Sequence, residues 1–597
     1  MTREEFNITV LYGSETGTAQ DTAEEIWINA KRNGLMCSVT AMDDYNMEHL
    51  GSERLIIFVA STTGQGDAPS NMTKFWRFLL RKSHPQTLLK NLKYAVLGLG
   101  DSSYEKYNFA AKKLNKRLAQ LGAQEIIPIA LADDQHDLGI DAIIEPWIKN
   151  LWPVISDALS IPLEASPVNQ VVERFNISII NQPSQRSIVE LIKNIPTDIY
   201  KHQLEVNNHL KLATIMKNTR TTTLDHFQDV RLIELNITNV NYQPGDIIYL
   251  RPKNSPEQVS KFFHLLREHD IPLTPETLLS ISDNKEIKLP DCLKYPLTFQ
   301  QVVEQYWDLN YKPRRSTMQV LALLSDNELE KEKLTEFSTA IGQDELYNYV
   351  NRPRRNIIEV LRDFPYTTRK LNEKILFEVM APIKPRAFSI ASSCKSTPDK
   401  IHLLVAVVKY KTKLVEPRLG LCSNWLASLE KGQQVIYWLQ KGTFHFDWEK
   451  PMILVGPGTG IAPFRSLLLE QEATGVDLHN VVLFFGCRNE KKDFHCREDY
   501  ERLVKNNNLT IFCAFSRDQA DKIYVQHLIR KQGALCWNLL LNGGKIYLSG
   551  SSKNMPKCVR DEFVDIAKKF GNFNDCDAEN FVRNLEKSGR YQTETWG

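Results

Sequence analysis

Apolar and polar residues follow two different periods along the first 150 residues of the chain. Short apolar, β-branched runs predict strands, and apolar residues spaced three or four apart between them predict helices. Strands that alternate with helices indicate a parallel sheet covered on both faces, here over residues 1–152. The predicted strands are Phe6–Tyr12, Leu35–Ala41, Leu55–Ser61, Tyr94–Gly98 and Glu125–Ala130, and the predicted helices are Ala19–Arg32, Asn71–Arg81, Tyr104–Leu121 and Leu138–Leu151.

The pattern changes three times after residue 152. Residues 153–201 lack a period and are rich in Pro, Ser, Asn and Gln, which predicts a linker that is partly structured. Over residues 202–448, β-rich pieces surround a mainly helical stretch near 256–368, which predicts an antiparallel barrel with a helical insertion. Alternation returns over residues 449–597 and predicts a second doubly wound domain. The strands expected in these two parts are Val230–Thr238, Asp246–Arg251, Ala387–Ala391, His402–Tyr410, Met452–Val455, Val481–Gly486, Leu509–Phe515 and Lys545–Ser549.

Composition narrows the class of protein. A chain of 597 residues is too long for one core, and roughly 100–200 residues per domain predicts several domains. A net charge of +2 argues against nucleic-acid binding. We find no apolar run long enough for a membrane helix and no secretory signal ahead of the first strand. The ten cysteines form no CxxC pair, so we expect no metal site and a cytosolic location. We also expect a monomer.

The turn after the first predicted strand has the composition of a phosphate-binding loop. Glycines and hydroxyl residues allow backbone N–H and side-chain O–H groups to converge on a phosphate at the positive end of the following helix. No lysine is present, unlike in a nucleoside triphosphate loop. Taken alone, a turn of this composition is more often a helix cap than a binding loop. Its residues are Ser14, Glu15, Thr16, Gly17, Thr18 and Ala19.

Two further loops follow the third and fourth predicted strands. Loops at the carboxyl ends of successive parallel strands line one crevice, where open α/β sheets bind ligands. Tyr104 offers an aromatic face for stacking. Three tight turns and a core tyrosine are the alternative, but the combination favours a mononucleotide cleft. The loops contain Ser61, Thr62, Thr63 and Gly64, and then Leu99, Gly100, Asp101, Ser102, Ser103 and Tyr104.

The barrel and the last domain carry two more candidate nucleotide sites. In the barrel, Arg386 offers a fork of donors to a pyrophosphate and Ser389 a hydroxyl to a flavin. A structural strand and a helix cap are the alternatives at this site, whose other residues are Ala387, Phe388, Gly420, Leu421, Cys422 and Ser423.

The glycine-rich run Gly456–Arg465, which contains Thr459, lies between a strand and a helix and suits a dinucleotide pyrophosphate. Downstream, Arg517 and Lys522 supply positive charge for a ribose 2′-phosphate, which favours NADP over NAD. Tyr524 offers a ring to adenine. A surface charge cluster is the alternative. Neighbouring candidates are Ser516, Ile523, Val525 and Gln526.

These three sites resemble, in the same order, those of the diflavin reductases, the family of cytochrome P450 reductase. The resemblance implies a flavodoxin-like FMN domain, an FAD-binding barrel with a helical insertion, and an NADPH domain like that of ferredoxin–NADP reductase. It assigns the loop from Ser14 to the FMN phosphate, and the loops from Ser61 and Leu99, up to Asn108, to the FMN ring, with Asp134 close by. It also assigns the barrel residues and Arg354 to FAD.

The resemblance further implies a hydride-transfer site that contains Ser389, Ser549 and Glu594, with Trp596 stacked over the flavin as a gate for nicotinamide. This chain departs from P450 reductase at several positions. Thr63 replaces an aromatic residue, Phe388 a tyrosine, and Ser549 and Ser551 a cysteine and an aspartate. Cys558 stands where an aspartate would contact NADPH.

The implied activity is electron transfer from NADPH through FAD and FMN to a one-electron protein acceptor. The motifs TTGQGD, GLGDSSYxKxNFxAKKL, DDQHxLG and QTETW match most closely a soluble branch of the family. Its implied acceptor is the iron–sulfur protein anamorsin, in cytosolic iron–sulfur cluster assembly. Two alternatives stay open: the same chemistry serving methionine synthase or a P450, and a diflavin-shaped binding protein without turnover.

Overall fold

The fold is described from a computed structural model, which covers residues 8–63, 66–104, 106–136, 139–163, 170–180, 195–206, 209–284, 286–339 and 341–596. The chain divides into two compact units. The first comprises Met1–Gln203, Lys253–Lys384 and Thr412–Val415, and the second comprises Leu204–Pro252, Pro385–Lys411 and Glu416–Gly597. The helical insertion therefore groups with the amino-terminal domain, and the barrel groups with the carboxyl-terminal domain.

The first unit contains a parallel sheet between two layers of helices. Its strand order is β2-β1-β3-β4-β5, with β6 also paired to β4, which confirms the flavodoxin-like topology. The predicted strand Glu125–Ala130 is instead two short strands on either side of Pro128, which has no N–H to donate to a ladder. The strands are β1 Ile8–Gly13, β2 Cys37–Ala41, β3 Leu55–Ser61, β4 Lys93–Gly100, β5 Gln124–Glu125 and β6 Ala130–Asp133, and the helices are α1 Thr18–Arg32, α2 Thr73–Leu79, α3 Phe109–Gln120 and α4 Asp141–Leu159.

The insertion is mainly helical but also carries a small sheet. Strands β11 (Leu278–Ser282) and β12 (Leu297–Thr298) join β7 (Asn176–Ile179) in the order β12-β11-β7, so part of the segment predicted as a linker is a strand. The helices end at Val379 rather than near residue 368, because Asn372 caps one more helix by accepting the Ile375 N–H. The short helix α5, Lys201–Val206, precedes the barrel. The helices of the insertion are α6 Pro256–Glu268, α7 Phe299–Gln301, α8 Arg315–Leu324, α9 Glu328–Phe337, α10 Gln343–Leu346, α11 Ile357–Asp363, α12 Pro365–Thr368 and α13 Glu373–Val379, with π-helical turns at Val302–Tyr306 and Tyr347–Asn351.

The second unit begins with the predicted antiparallel barrel. Its six strands run in the order β13-β10-β17-β8-β9-β14, and a bridge between Ile390 and Leu403 joins the two ends of this sheet. Buried aliphatic residues from β8, β9, β10, β14 and β17 fill the interior, and the partly buried Phe388 of β13 packs against them. The strands are β8 Lys211–Arg220, β9 Val230–Asn236, β10 Ile247–Leu250, β13 Arg386–Ser389, β14 Lys400–Ala406 and β17 Gln434–Gln440, with a ribbon of β15 Lys409–Tyr410 and β16 Arg418–Leu419 and the helix α14 Leu421–Ser428.

The last domain is a five-stranded parallel sheet in the order β20-β19-β18-β21-β22, as the alternation predicts. The final strand, β22, was not predicted, because its sequence is polar and its only partner in the sheet is β21. The strands are β18 Met452–Pro457, β19 Val481–Cys487, β20 Thr510–Phe515, β21 Lys545–Ser551 and β22 Tyr591–Trp596, and the helices are α15 Ala462–Thr474, α16 Glu490–Asp493, α17 Arg497–Asn507, α18 Val525–Lys531, α19 Gly533–Leu541, α20 Asn554–Gly571 and α21 Asp575–Lys587.

The part of the chain that the structure describes lacks two features. No helix there has the length and apolar character that crossing a membrane requires. In the same residues, no cluster of three or more His, Cys, Asp or Glu side chains is arranged to hold a metal ion.

Candidate functional site

Four strands of the first sheet end in one row. β1, β3, β4 and β6 end at Gly13, Ser61, Gly100 and Asp133. The register pairs Gly13 with Ala60, Ser61 with Leu99, and Gly100 with Asp133, so all four ends lie at the same edge of the sheet. The loops that the sequence singled out therefore line one crevice at the carboxyl ends of parallel strands.

The loop from Ser14 to Ala19 is held in a conformation suited to a phosphate. The buried Ser14 hydroxyl accepts the Gly17 N–H at 2.9 Å, and Gly17 has φ +96°, which favours glycine. α1 begins at the next residue, so its first N–H groups point into the loop. The Ser14 N–H donates to Asn71 Oδ1 at 2.8 Å. Asn71 belongs to no motif, so this contact could not be predicted from the sequence.

Glu15 has a different role from its neighbours in this loop. Its carboxylate accepts the backbone N–H of Ser70 at 2.8 Å, which ties the loop to the segment before α2. A carboxylate would also repel a phosphate. Glu15 therefore positions the loop, and we expect the side-chain contacts to a phosphate to come from the hydroxyls of Ser14, Thr16 and Thr18.

The loop after β3 is fixed by short-range bonds. Ser61 Oγ donates to the Gly13 carbonyl at 3.2 Å, and Thr62 Oγ1 accepts the Ala110 N–H at 3.2 Å. Thr63 N–H donates to the Asp67 carbonyl at 3.0 Å, which closes a tight turn. Gly64 lies outside the described residues. The small side chains of this loop leave room for a flat ring, and Thr63 offers no aromatic face.

The loop after β4 is supported by Asp101, Asn108 and Asp133. Asp101 accepts the Ser103 N–H and Asp133 accepts the Ser102 N–H, both at 2.8 Å. Ser102 and Ser103 are exposed, while Tyr104 is half-buried. Asn108 has φ +56° and donates to the Ala132 carbonyl at 3.0 Å, while its buried Oδ1 has no hydrogen-bond partner in the part of the chain that the structure describes.

The crevice fits a flavin mononucleotide. A Cβ placed on Gly98 or Gly100 would lie 2.8 or 3.0 Å from Asn108 Oδ1, so no larger residue is accommodated beside this amide. Asp134 N–H donates to the Gly100 carbonyl at 2.9 Å, and its side chain is exposed beside the cleft. The donors within these three loops are neutral apart from the helix end, which suits an uncharged ring.

In the sequence, Asp133, Asp134, Asp137, Asp141 and Glu145 follow one another with no Lys or Arg between them, which indicates a solvated surface or, as a hypothesis, an acidic rim that attracts a positively charged acceptor. Glu145 instead pairs with Arg315 of the insertion, and Asp133 is used to cap the Ser102 loop. Asp137 lies outside the described residues. Among the described acids, Asp134 keeps the exposure at the cleft that such a role needs.

The candidate FAD site lies on the barrel. Arg386 and Ala387 are exposed, Phe388 and Ser389 are half-buried, and β13 pairs antiparallel with β10. Tyr249 and Trp438, which face each other across β10 and β17, stack at 5.2 Å with Arg251 5.8 Å from the indole centroid. The Tyr437 hydroxyl is buried, and no described residue forms a hydrogen bond with it. The exposed arginine and the aromatic surface suit a dinucleotide that carries a pyrophosphate.

Gly420 caps α14, where Leu421, Cys422 and Ser423 form the first turn. A Cβ on Gly420 would lie 2.8 Å from the Val408 side chain, so the helix start can lie this close to Val408 only with glycine at position 420. Burial raises the pKa of Cys422 to about 12, so this thiol is not a thiolate. Ser423 Oγ accepts the Val408 N–H at 3.0 Å. Contacts from this turn to a phosphate would therefore come mainly from backbone N–H groups.

Arg354, in the first unit, is exposed with φ +60°.

Three of the residues expected near nicotinamide form one cluster. Ser389 Oγ donates to Glu594 Oε1 at 2.7 Å. Ser549 lies opposite Glu594 in the register of β21 and β22. Sequence reasoning missed Thr443, whose hydroxyl donates to Glu594 Oε2 at 3.2 Å. Burial raises the pKa of Glu594. The hydrogen bonds from the Ser389 and Thr443 hydroxyls lower this pKa, but by less than burial raises it.

Trp596 is not a frayed chain end. It belongs to β22, opposite Ser551, and its carbonyl accepts the Ser552 N–H at 2.9 Å. Its side chain remains 39% exposed. A gating motion at this position therefore requires rotation of the indole about its side-chain bonds, while the backbone stays in the sheet.

We expect Ser549→Ala to separate a structural from a chemical role of this hydroxyl. Ser549 Oγ is buried and has no hydrogen-bond partner among the described residues, so its loss should leave the melting temperature unchanged or higher. If the hydroxyl serves the nicotinamide, flavin reduction by NADPH should slow by about tenfold, the value of one hydrogen bond. Stopped-flow absorbance measures this rate, with the exposed Ser551→Ala as the control. An unchanged rate would leave Ser549 without a chemical role.

The glycine-rich turn after β18 approaches another strand closely. Gly458–Ile461 forms one 3-10 turn, and Pro463 lies in the first turn of α15. A Cβ on Gly460 would lie 2.2 Å from the Ser549 carbonyl oxygen. The turn therefore places its backbone, with the half-buried Thr459, directly beside the cluster of Ser389, Ser549 and Glu594. This arrangement fits a pyrophosphate at the amino end of α15.

The positive charge expected for a 2′-phosphate is accessible. Arg517, Lys522 and Tyr524 are exposed beyond β20. Asp518, next to Arg517, instead accepts the Glu490 N–H at 2.7 Å and the Asn489 amide at 2.6 Å. Three neighbouring candidates are less available: Ser516 and Val525 have buried side chains, and Ile523 packs on the core. Val525 can therefore contact a ligand through its backbone only, because its side chain is part of the core. Gln526 and Cys558, both half-buried, lie in the first turns of α18 and α20.

Comparisons with known proteins identify the same three domains. Family models match in the order found here: flavodoxin over residues 10–147, the FAD binding domain over 206–425 and the oxidoreductase NAD-binding domain over 454–561. Curated proteins called NADPH-dependent diflavin oxidoreductase 1 are 45% identical in Xenopus laevis, 44% in Danio rerio and 36% in Schizosaccharomyces pombe. Each alignment covers 99% of this chain and 99% of the relative.

Proposed function

The chain belongs to the NADPH-dependent diflavin oxidoreductase family, and from that premise we propose that it passes single electrons to an iron–sulfur protein of the anamorsin type. The proposed setting is cytosolic iron–sulfur cluster assembly. The enzyme is an NADPH-dependent flavoprotein oxidoreductase whose cofactors are FMN, FAD and NADPH. When bound, the two flavins accept the hydride of NADPH as an electron pair and release the electrons one at a time.

The chain's own residues supply binding and orientation. In the second unit, the Gly458–Ile461 turn and the cationic pair Arg517 and Lys522 would hold the nicotinamide dinucleotide by its phosphates. Ser389, Thr443 and Glu594 form a hydrogen-bonded group, and Trp596, two residues after Glu594 on β22, would gate access to it. In the first unit, the loops from Ser14, Ser61 and Leu99 would hold the mononucleotide at the edge of the sheet.

One observation supports a protein as the acceptor. Ser102, Ser103 and Asp134 are exposed around the FMN cleft, at the loops expected to flank the ring. An exposed edge with polar contacts allows a partner protein to approach closely and then leave, as repeated single-electron transfer requires. The sequence motifs TTGQGD and QTETW support the iron–sulfur acceptor, because they match the branch of the family for which that role is implied.

The acceptor is tested by anaerobic single-turnover reduction. The full chain, loaded with FMN and FAD, is mixed with NADPH and a [2Fe–2S] protein of the anamorsin type, a methionine synthase or a P450. Electron paramagnetic resonance reports the reduced acceptor. We expect fast reduction of the iron–sulfur protein and slow reduction of the other two. Faster reduction of methionine synthase or the P450 would replace the proposed acceptor, and no reduction of any acceptor, cytochrome c included, would favour the binding protein without turnover.

Cofactor preference gives a sharper prediction. Arg517→Ala and Lys522→Ala should each raise the KM for NADPH by about 10- to 100-fold, because each removes a charge-assisted contact worth about 1.5–3 kcal/mol. The KM for NADH should hardly change, since NADH has no 2′-phosphate. Steady-state cytochrome c reduction measures both. Lys531→Ala, an exposed lysine on α18, is the matched control. Equal losses with the two nucleotides would place the 2′-phosphate elsewhere.

A further inference from the structure

Lys384 lies directly on the phosphate loop of the flavodoxin-like domain. A Cβ placed on Gly17 would be 2.2 Å from both Cε and Nζ of Lys384, so the lysine packs against the glycine Cα. Gly17 is buried, although it is the cap of a helix that opens the cleft. Lys384 does not belong to the flavodoxin-like sheet. It lies in the segment that follows α13 of the insertion.

This segment is anchored, so the position of Lys384 is determined by the insertion. The N–H of the preceding Ile383 donates to the Tyr306 carbonyl at 2.6 Å, and the Ala381 carbonyl accepts the Asp308 N–H at 2.8 Å. A bridge also pairs Pro382 with Trp307. These bonds hold the three residues immediately before the lysine against the insertion.

The loop and the adjoining face of α1 contact the insertion at several points. Lys31 pairs with Glu286 at 2.6 Å, and Arg314 pairs with Asp21 at 2.7 Å. The Val39 N–H also donates to the Glu286 carbonyl at 2.8 Å. Lys384 extends this contact face to the amino end of α1, where the phosphate loop begins.

The charge of Lys384 suits an anion at this position. The amino end of α1 carries the positive end of the helix dipole, so this helix end and an ammonium group beside it both attract an anion. The loop Ser14–Ala19 offers neutral donors and contains no Lys or Arg. A phosphate dianion at the loop would accept from these donors and from the Lys384 ammonium, which binds phosphate as a point charge.

We propose that Lys384 binds the FMN phosphate, so that FMN links the flavodoxin-like domain to the insertion. The inference rests on the proposed function only in that FMN occupies the crevice with its phosphate at the loop from Ser14. By thermodynamic reciprocity, contact between α1 and the insertion then raises the affinity for FMN, and bound FMN strengthens that contact by the same factor. The phosphate carries this coupling, and the flavin ring does not.

The first test compares FMN with riboflavin, which has the same ring and no phosphate. FMN is removed from the full chain, and the dissociation constant of each ligand is measured by quenching of its fluorescence. Lys384→Gln should weaken FMN binding by about 10- to 100-fold and change riboflavin binding by less than about twofold. Lys374→Gln removes a lysine from α13 that pairs with Glu173, and it should change neither constant.

Two results would overturn the proposal. If Lys384→Gln weakens FMN and riboflavin equally, the lysine only packs on the loop. If it weakens neither, the phosphate lies elsewhere. Both results are independent of the acceptor, because a wild-type enzyme that reduces no iron–sulfur protein would disprove the proposed function without altering these affinities.

The second test reads the coupling directly by hydrogen exchange. In the wild-type chain, FMN should slow exchange of the α1 amides and of residues 286–289 more than riboflavin does at equal saturation. In Lys384→Gln this difference between the ligands should disappear. Equal protection by FMN and riboflavin in the wild-type chain would show that the phosphate does not link the domain to the insertion.

Discussion

Gly460→Ala is expected to lower kcat/KM for NADPH by at least about 100-fold, which corresponds to roughly 2.7 kcal/mol of transition-state stabilisation. The added Cβ would lie 2.2 Å from the Ser549 carbonyl oxygen and 2.8 Å from the Ser549 carbonyl carbon. Both atoms belong to the backbone of β21, so neither can turn aside as a side chain would. The turn must move away from the cluster of Ser389, Ser549 and Glu594, and the nicotinamide is misplaced with it.

A second glycine of the same turn provides the control. Gly458 has φ +56° and no atom within 4 Å of an added Cβ, so Gly458→Ala meets strain of about 1–2 kcal/mol and no collision. Its kcat/KM should fall by less than about tenfold. Steady-state reduction of cytochrome c measures both variants, and the flavin content of each should remain that of the wild type. Equal losses in the two variants would mean that backbone strain, and not the close approach to β21, makes glycine necessary here.

Arg174→Met is expected to destabilise the first unit by about 3–5 kcal/mol, because it leaves buried carboxylates without a countercharge. Arg174 Nη1 lies 2.9 Å from Glu24 Oε2 on α1, and Arg174 Nε lies 2.9 Å from Glu378 Oε2 on α13. The Glu378 side chain is 3% exposed. Burial raises the pKa of Glu378 and Arg174 opposes this shift, so the loss of Arg174 also favours protonation of Glu378.

The stability change is measured by urea titration, with hydrogen exchange of the α1 amides as the local probe of the first unit. Arg314→Met is the matched control, because Arg314 pairs with Asp21 on the same helix but is 38% exposed, and exposed pairs contribute about 0–1 kcal/mol. The triple variant Arg174→Met, Glu24→Gln, Glu378→Gln should recover part of the loss. If Arg174→Met is no more harmful than Arg314→Met, the buried network does not hold α1 to the insertion.

Residue patterns predicted the parts of the site that depend on neighbours along the chain. The loops after β1, β3 and β4 could be placed together before the fold was known, because parallel strands all end at the same edge of a sheet. The glycine-rich turn at Gly458 and the cations at Arg517 and Lys522 were found in the same way. The sequence showed no sign of β22, which is polar and is a strand only because β21 pairs with it.

Contacts between distant segments were beyond the sequence. Thr443 and Asn71 belong to no motif, yet they bind Glu594 and Ser14. Lys384 follows the insertion and reaches the loop at Gly17 only through the fold. The acidic rim shows the reverse case, since Glu145 appeared to be part of a surface and is paired with Arg315.

The sequence by itself determined the three domain types, their order and the loops that carry the nucleotide chemistry, because periodicity and turn residues act over a few neighbouring positions. Tertiary structure alone decided that the insertion groups with the flavodoxin-like domain and that Arg174 and Lys384 meet α1. It also decided that Trp596 is held in a sheet. These arrangements depend on side-chain packing and charge pairing between segments that are far apart along the chain, and no local pattern encodes such pairings.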